Sequence, residues 1–283
     1  MRKLRYNRTG VFALNIGIIG LGSMGQMLVQ ALCKSGAVTP GQLIAYNRTR
    51  QKAEQLRRQY PFTIADSAQD VCARAELVFV CTKPLDVLPL LRSLTIPSDT
   101  HLVSVAAGVS VADLENVHTG AVSKVIPTIT SQELHGVSLY DCSSRLSKAQ
   151  REQLITLLSS IGRAENVSEA QIETATILTS SAPGLLAGIM EAFAQAAVRK
   201  TPSLSIETAR SMLAETMLGT ATLLQKEQLG FDQLIERVAT KGGITEEGLR
   251  VLDKTLPGGF DELFAMTEAK HAALKEMIHT KGN

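Results

Sequence analysis

Residues 16–25 read Ile16-Gly17-Ile18-Ile19-Gly20-Leu21-Gly22-Ser23-Met24-Gly25, an apolar run that breaks into a G-x-G-x-x-G turn and continues with helical spacing. A buried strand, this turn and a helix, in that order, are the elements of a dinucleotide-binding unit. Gly20 permits the tight turn, Gly22 lets backbone N–H groups approach a pyrophosphate, and Gly25 lets the helix pack close to the strand. The helix beyond the turn offers unpaired N–H groups and a positive dipole end to the phosphates. The alternative is a purely structural glycine turn. The strand before it and the helix after it favour the binding role.

Outward from this turn, strand-like runs recur at 15–20, 42–46, 76–81, 101–106 and 121–126. Helical patterns at 26–34, 49–59 and 84–94 lie between them. Such alternation predicts a doubly wound, mostly parallel sheet covered on both faces, an α/β Rossmann-type unit. A strand at 136–140, a helix at 148–161 and a short strand at 164–167 complete it. From residue 169 strand signals vanish, and helices are expected at 170–199, 206–224, 231–238, 245–253 and 259–278. The first of these is apolar nearly all round, so it should be buried in a core or against another subunit. The expected organisation is an extension over 1–14, a dinucleotide-binding domain over 15–167, and an all-helical dimerisation and substrate domain over 168–283.

Composition narrows the class. The chain has 283 residues, 45% of them hydrophobic, enough for one large domain or two medium ones. A net charge of +2 without a basic block argues against nucleic acid as a partner. Cys33, Cys72, Cys81 and Cys142 are scattered and form no C-x-x-C pair, which predicts a reduced, cytoplasmic protein with no disulfide framework and no metal site. The charged start, Met1 to Arg8, followed by an apolar run resembles a secretory signal peptide. Cleavage there would destroy the first strand and its glycine turn, so an N-terminal extension is the preferred reading. No other segment runs apolar and uninterrupted long enough for a bilayer, and no membrane partner is expected.

The second strand runs into Asn47-Arg48-Thr49. An acidic residue near this position commonly accepts from the ribose hydroxyls. Here a guanidinium flanked by two neutral polar groups suits a ribose 2′-phosphate, so NADP(H) is preferred, with NAD(H) as the alternative. In the plainer reading Arg48 only starts a solvated helix. The next two strands end in Thr82-Lys83-Pro84 and Ala106-Ala107-Gly108, at the carboxyl edge where such sheets bind ligands. The small residues let a cofactor lie against the backbone. Lys83 is either a cation over the nicotinamide end or an ordinary helix-start lysine. Further on, Thr240-Lys241-Gly242-Gly243-Ile244-Thr245 separates two helices. Its exposed N–H groups at Gly243 and Ile244 suit a small carboxylate, or else the glycines end one helix and Thr245 caps the next.

Taken together, residues 20–25, 47–49, 80–84, 104–108 and 240–248 resemble pyrroline-5-carboxylate reductases, and the likeness runs from Ile16 to about Lys275. The resemblance implies NAD(P)H-dependent reduction of a cyclic imine to proline, and a helical C-terminal domain that intertwines with a partner copy. It implies that Thr245 hydrogen-bonds the substrate's ring nitrogen, and that Thr240, Gly242, Gly243 and Ile244 hold its carboxylate. It likewise implies cofactor contacts for Gly20, Leu21, Gly22, Ser23, Met24, Asn47, Arg48, Lys83, Pro84, Ala106 and Gly108.

Departures from the family pattern are local. Thr128 stands where members have an asparagine, Ser180 and Ala182 replace glycines, and Lys241 replaces a proline. Segments 82–86, 125–130 and 241–245 look closer to a divergent branch encoded beside late-competence genes in spore-formers, the ComER-type proteins. Three readings follow: a pyrroline-5-carboxylate reductase, a diverged NADP-binding dimer with a regulatory role, or a reductase of a related imine or keto acid. A protonated imine needs binding and orientation more than acid–base machinery, and the histidines are isolated along the chain.

Overall fold

Consecutive apolar residues without polar alternation make a strand buried on both faces, and Ile16–Ile19 forms one as β1. The computed structural model describes residues 14–282, so the expected extension lies, apart from Leu14, outside the described residues. After β1 come α1 (Ser23–Ser35), β2 (Leu43–Tyr46), α2 (Arg50–Arg57), β3 (Thr63–Ile64), α3 (Ala68–Arg74), β4 (Leu77–Val80) and α4 (Pro84–Arg92). Then follow β5 (His101–Ser104), α5 (Val111–Glu115), β6 (Val122–Ile126), β7 (Gly136–Cys142), α6 (Lys148–Ser159) and β8 (Gly162–Asn166).

The strands form one sheet in the order β3-β2-β1-β4-β5-β6-β7-β8. Only β6 and β7 pair antiparallel. The chain winds outward from β1 through β2 to β3, then restarts at β4 on the other side of β1. This reversal opens a crevice beyond the carboxyl ends of β1 and β4, directly at the glycine turn. β3, α3 and α5 are not among the elements the sequence predicts. The two residues of β3 are half-buried and pair only with Ile44 and Ala45, so no apolar run announces them.

At the opposite end of the strands, His101 is 3% exposed, with its Nε2 2.9 Å from Ser123 Oγ. The Ser123 hydroxyl in turn donates to Cys142 Sγ at 3.3 Å. Burial, aided by nearby His118, pushes the His101 imidazole down to about 3. It is therefore a neutral, structural histidine. All four cysteines are free.

The remaining elements are α7 (Ile172–Thr176), a π-helical turn (Ile177–Ser181), α8 (Ala182–Lys200), α9 (Ile206–Glu227), α10 (Phe231–Val238) and α11 (Ile244–Gly282). The single helix expected over 170–199 is thus interrupted. Pro183 offers no N–H to the carbonyl one turn back, and the backbone widens there. The break expected near 254–258 is absent: α11 runs through Pro257, Gly258 and Gly259. A proline removes one internal bond, and the turns on either side keep theirs.

Contacts divide the chain into two compact units, one of residues up to Ser181 together with those from Thr267, the other Ala182–Met266. This leaves α7 and the last turns of α11 with the sheet, where the sequence reading assigns everything from 168 to the helical domain. In the helical unit most large apolar side chains face outward, including Phe193, Leu218, Phe231 and Val251. A groove of about 500 Å³ between α8 and α9, lined by Pro183, Met190, Leu213 and Met217, is bordered by the Glu191–Arg210 ion pair at 2.6 Å. Ile172–Lys200 is also long and apolar enough to cross a membrane by length and composition, with a mean hydropathy of 1.3 over an 18-residue stretch. The sequence predicts no segment beyond the N-terminal one that runs apolar and uninterrupted long enough for a bilayer, and it places this helix in a core or against another subunit. Exposed apolar surface of this extent marks an interaction face.

Candidate active site

The glycine turn has the geometry its spacing predicts. Gly20 sits at φ +97°, and a Cβ there would stand 2.9 Å from the Cys81 carbonyl oxygen. A Cβ on Gly25 would overlap the Gly20 carbonyl oxygen, so helix and turn touch backbone to backbone. Among the described residues, Gly22 has nothing within 4 Å of its Cβ position. It is also the N-cap of α1, where no side chain caps the first turn and no acidic residue lies in it. The N–H groups after Gly22 therefore point into open space beside a positive dipole end. Three bonds pin the turn to the ends of β2 and β4: Gly20 N–H donates to Tyr46 O at 2.8 Å, Cys81 N–H to Ile19 O at 2.8 Å, and Leu21 N–H to Asn47 Oδ1 at 2.8 Å.

Asn47 thus has a duty that its position alone does not reveal. Its Oδ1 holds the turn, while its Nδ2 donates to Thr49 O at 2.9 Å. Arg48 and Thr49 are exposed, and Arg48 makes no ion pair among the described residues. Gln26, which the sequence reading passed over, steadies the turn through Nε2 to Leu21 O at 3.0 Å. An amide one turn inside the helix was the available signal.

Thr82, Lys83 and Pro84 follow β4. Lys83 is the exposed N-cap of α4 and Pro84 its first residue. The buried Thr82 hydroxyl oxygen has no hydrogen-bond partner among the described residues. A buried hydroxyl without a partner at this edge is free to hydrogen-bond a ligand. Beyond β5, Ala106 is 4% exposed and Gly108 adopts φ +79°. Because β2, β1, β4 and β5 are neighbours, their carboxyl ends bring Asn47, the glycine turn, Thr82 and Ala106 to one edge. The residues present fit a dinucleotide. The open cradle at Gly22, the uncapped helix and the orphan hydroxyl each supply space or donors for it.

In the helical unit, Thr240–Gly243 lies between α10 and α11, and Ile244 and Thr245 open α11. Gly243 N–H, expected to be exposed, instead donates to Thr240 O at 2.8 Å. The tight turn with Gly242 at φ +74° folds it inward. Gly242 N–H donates to Glu246 Oε2 at 2.5 Å, a contact the sequence does not predict. Ile244 and Thr245 keep N–H groups without partners among the described residues, and Ile244 is 94% exposed. Of the loop's N–H groups expected to be exposed, only that of Ile244 is open among the described residues, and that of Thr245 is open beside it.

Residues 15–108 match the family model described as NADP oxidoreductase, coenzyme F420-dependent, and residues 169–277 match pyrroline-5-carboxylate reductase dimerisation. With the cradle and the sheet crevice, these define a nicotinamide-dependent oxidoreductase that self-associates through its helices. "Pyrroline-5-carboxylate reductase 3" of Bacillus subtilis is 39% identical over 93% of this chain and 97% of its own length. "ComE operon protein 4" of the same organism is 30% identical over 94% of this chain and 100% of its own. The chain belongs to the pyrroline-5-carboxylate reductase family. The Plasmodium falciparum pyrroline carboxylate reductase, solved with NADP bound, shares the fold with a TM-score of 0.78, covering 95% of this chain and 99% of that one at 20% identity.

Proposed function

We propose that this chain reduces 1-pyrroline-5-carboxylate to L-proline and prefers NADPH, acting as a cytoplasmic homodimer. The observation that carries the reading is the 39% identity along nearly the whole chain to a protein named as such a reductase. The reading assigns residues 15–167 mainly to the cofactor and 168–283 to dimerisation and substrate. Free cysteines support the location.

When bound, the nicotinamide supplies a hydride to the imine carbon. The chain binds and orients. The Ile244 and Thr245 N–H groups, at the positive end of α11, hold the substrate carboxylate, with Thr240, Gly242 and Gly243 shaping the loop. The Thr245 hydroxyl oxygen accepts a hydrogen bond from the protonated ring nitrogen and fixes the face presented. Lys83, free of ion pairs among the described residues, adds positive charge beyond β4. Arg48, exposed and unpaired with no acid in its place, takes a ribose 2′-phosphate.

NADPH oxidation by the purified chain with 1-pyrroline-5-carboxylate tests the reading, and NADPH binding without turnover defeats it. Thr245→Ala is expected to lower kcat/KM about 10- to 100-fold, the worth of a hydrogen bond to a charged group, with NADPH binding unchanged. Arg48→Ala should weaken NADPH binding about tenfold and leave NADH alone, read from paired titrations.

A second reading, a diverged NADP-binding dimer with a regulatory role, is favoured by the likeness to ComE operon protein 4 and by Thr128, Ser180 and Ala182. Thr128 is buried, with its hydroxyl 3.4 Å from that of Thr130. Lys241 is exposed beside the substrate loop and suits a related imine or keto acid with an extra carboxylate. A substrate panel separates these readings.

A further inference from the structure

The turn leaving β5, Ala106-Ala107-Gly108, has no large side chain with which to hold itself, and its last residue is the most freely rotating type. Its order comes from elsewhere. A Cβ on Gly108 would stand 2.8 Å from Ile278 Cδ1 and 3.3 Å from Leu274 Cγ, so the last turns of α11 pack on bare glycine backbone. Ile278 is 3% exposed and shares a core cluster with Ala106, Val109 and Leu114, while Leu274 packs at its margin.

Neighbouring residues on the same helix face add polar anchors. Lys275 Nζ lies 2.5 Å from Glu173 Oε1 and 3.5 Å from Glu169 Oε1. Glu169 also lies 3.8 Å from the ammonium of Lys124, which is buried within β6. His279 Nε2 lies 3.2 Å from Asp113 Oδ1, and the other oxygen of Asp113 accepts from the Ser110 N–H and hydroxyl at the start of α5. Residues 274, 275, 278 and 279 are paired at i, i+4, so one stripe of α11 grips α7, the β5 exit turn and the cap of α5.

We propose that this stripe is a positioning element for the cofactor site, with Leu274 and Ile278 as positioning residues that hold Ala106-Ala107-Gly108 in its binding conformation. The proposal rests on the reading that this turn borders the dinucleotide. Without the Ile278 side chain Gly108 regains its freedom, and ordering the turn becomes part of the cost of binding.

The test uses the full chain and NADPH, with fluorescence titration for affinity and thermal unfolding for stability. Ile278→Ala is expected to raise the NADPH Kd about five- to tenfold, and Ile278→Val to recover most of it. Leu154→Ala, which empties a fully buried site in the other main core cluster, should lower the melting temperature without moving the Kd. If Ile278→Ala does not fold, Leu274→Ala, at a partly buried position, provides the same readout. A Kd within about twofold of the unaltered chain, or an equal rise in Leu154→Ala, overturns the proposal. Failure of the unaltered chain to bind NADPH at all overturns the cofactor reading itself, a separate and prior result.

Discussion

Gly25→Ala is expected to abolish measurable NADPH binding and to lower the melting temperature at the same time. The added methyl would overlap the Gly20 carbonyl oxygen, which is backbone and cannot swing aside. Relief requires α1 to move away from β1, at a cost of about 1–3 kcal/mol for overpacking a tight site. That movement carries the N–H groups after Gly22 away from where Asn47 and Tyr46 hold the turn. Gly22→Ala offers the contrast. Its Cβ meets nothing within 4 Å and its φ of −76° suits any residue, so folding should proceed normally. The methyl instead occupies the space a pyrophosphate needs. NADPH titration beside thermal unfolding separates the two: both readouts fall for Gly25→Ala, and only binding falls for Gly22→Ala. Retained binding in Gly25→Ala would contradict the cradle.

Acid should destabilise the protein through His101. In the folded chain this imidazole is held near 3, while an unfolded histidine titrates near 6.5. Between those values the unfolded chain binds the extra proton, so stability is complete above about pH 6.5 and declines as pH falls. At pH 5 the loss from this group is about 2 kcal/mol, growing until the pH reaches the folded value. His101→Gln keeps a polar partner for Ser123 and carries no titratable proton. Urea unfolding at pH 7.5 and pH 5, at fixed chain concentration, should show the larger decline in the unaltered chain. Parallel declines in the two would remove His101 as the cause.

Much of this architecture is legible in the chain because burial leaves long marks. Runs such as Ile16–Ile19 and Leu77–Val80 are apolar at every position, as strands covered on both faces must be. The glycine spacing likewise identifies its own geometry, since each glycine answers a local steric demand. Long-range arrangements leave no such trace. Nothing beside Asn47 says that it braces Leu21, and nothing near Gly243 says that its N–H turns inward. Pro257-Gly258-Gly259 reads as a helix end, yet the surrounding turns of α11 carry the helix through. The packing of Ile278 against Gly108 joins distant parts of the chain and is invisible to any local pattern.

The outward-facing Phe193, Leu218, Phe231 and Val251 have a consequence for how this protein behaves at different abundances. Self-association covers surface that a lone protomer must leave wet, so mass action enters the folding equilibrium. The melting temperature should climb with protomer concentration and sag on dilution. A cell making little of the protein would hold a larger share of it as loosened single chains, open to proteases. Gene dosage would then set the lifetime of each molecule as well as the number of molecules.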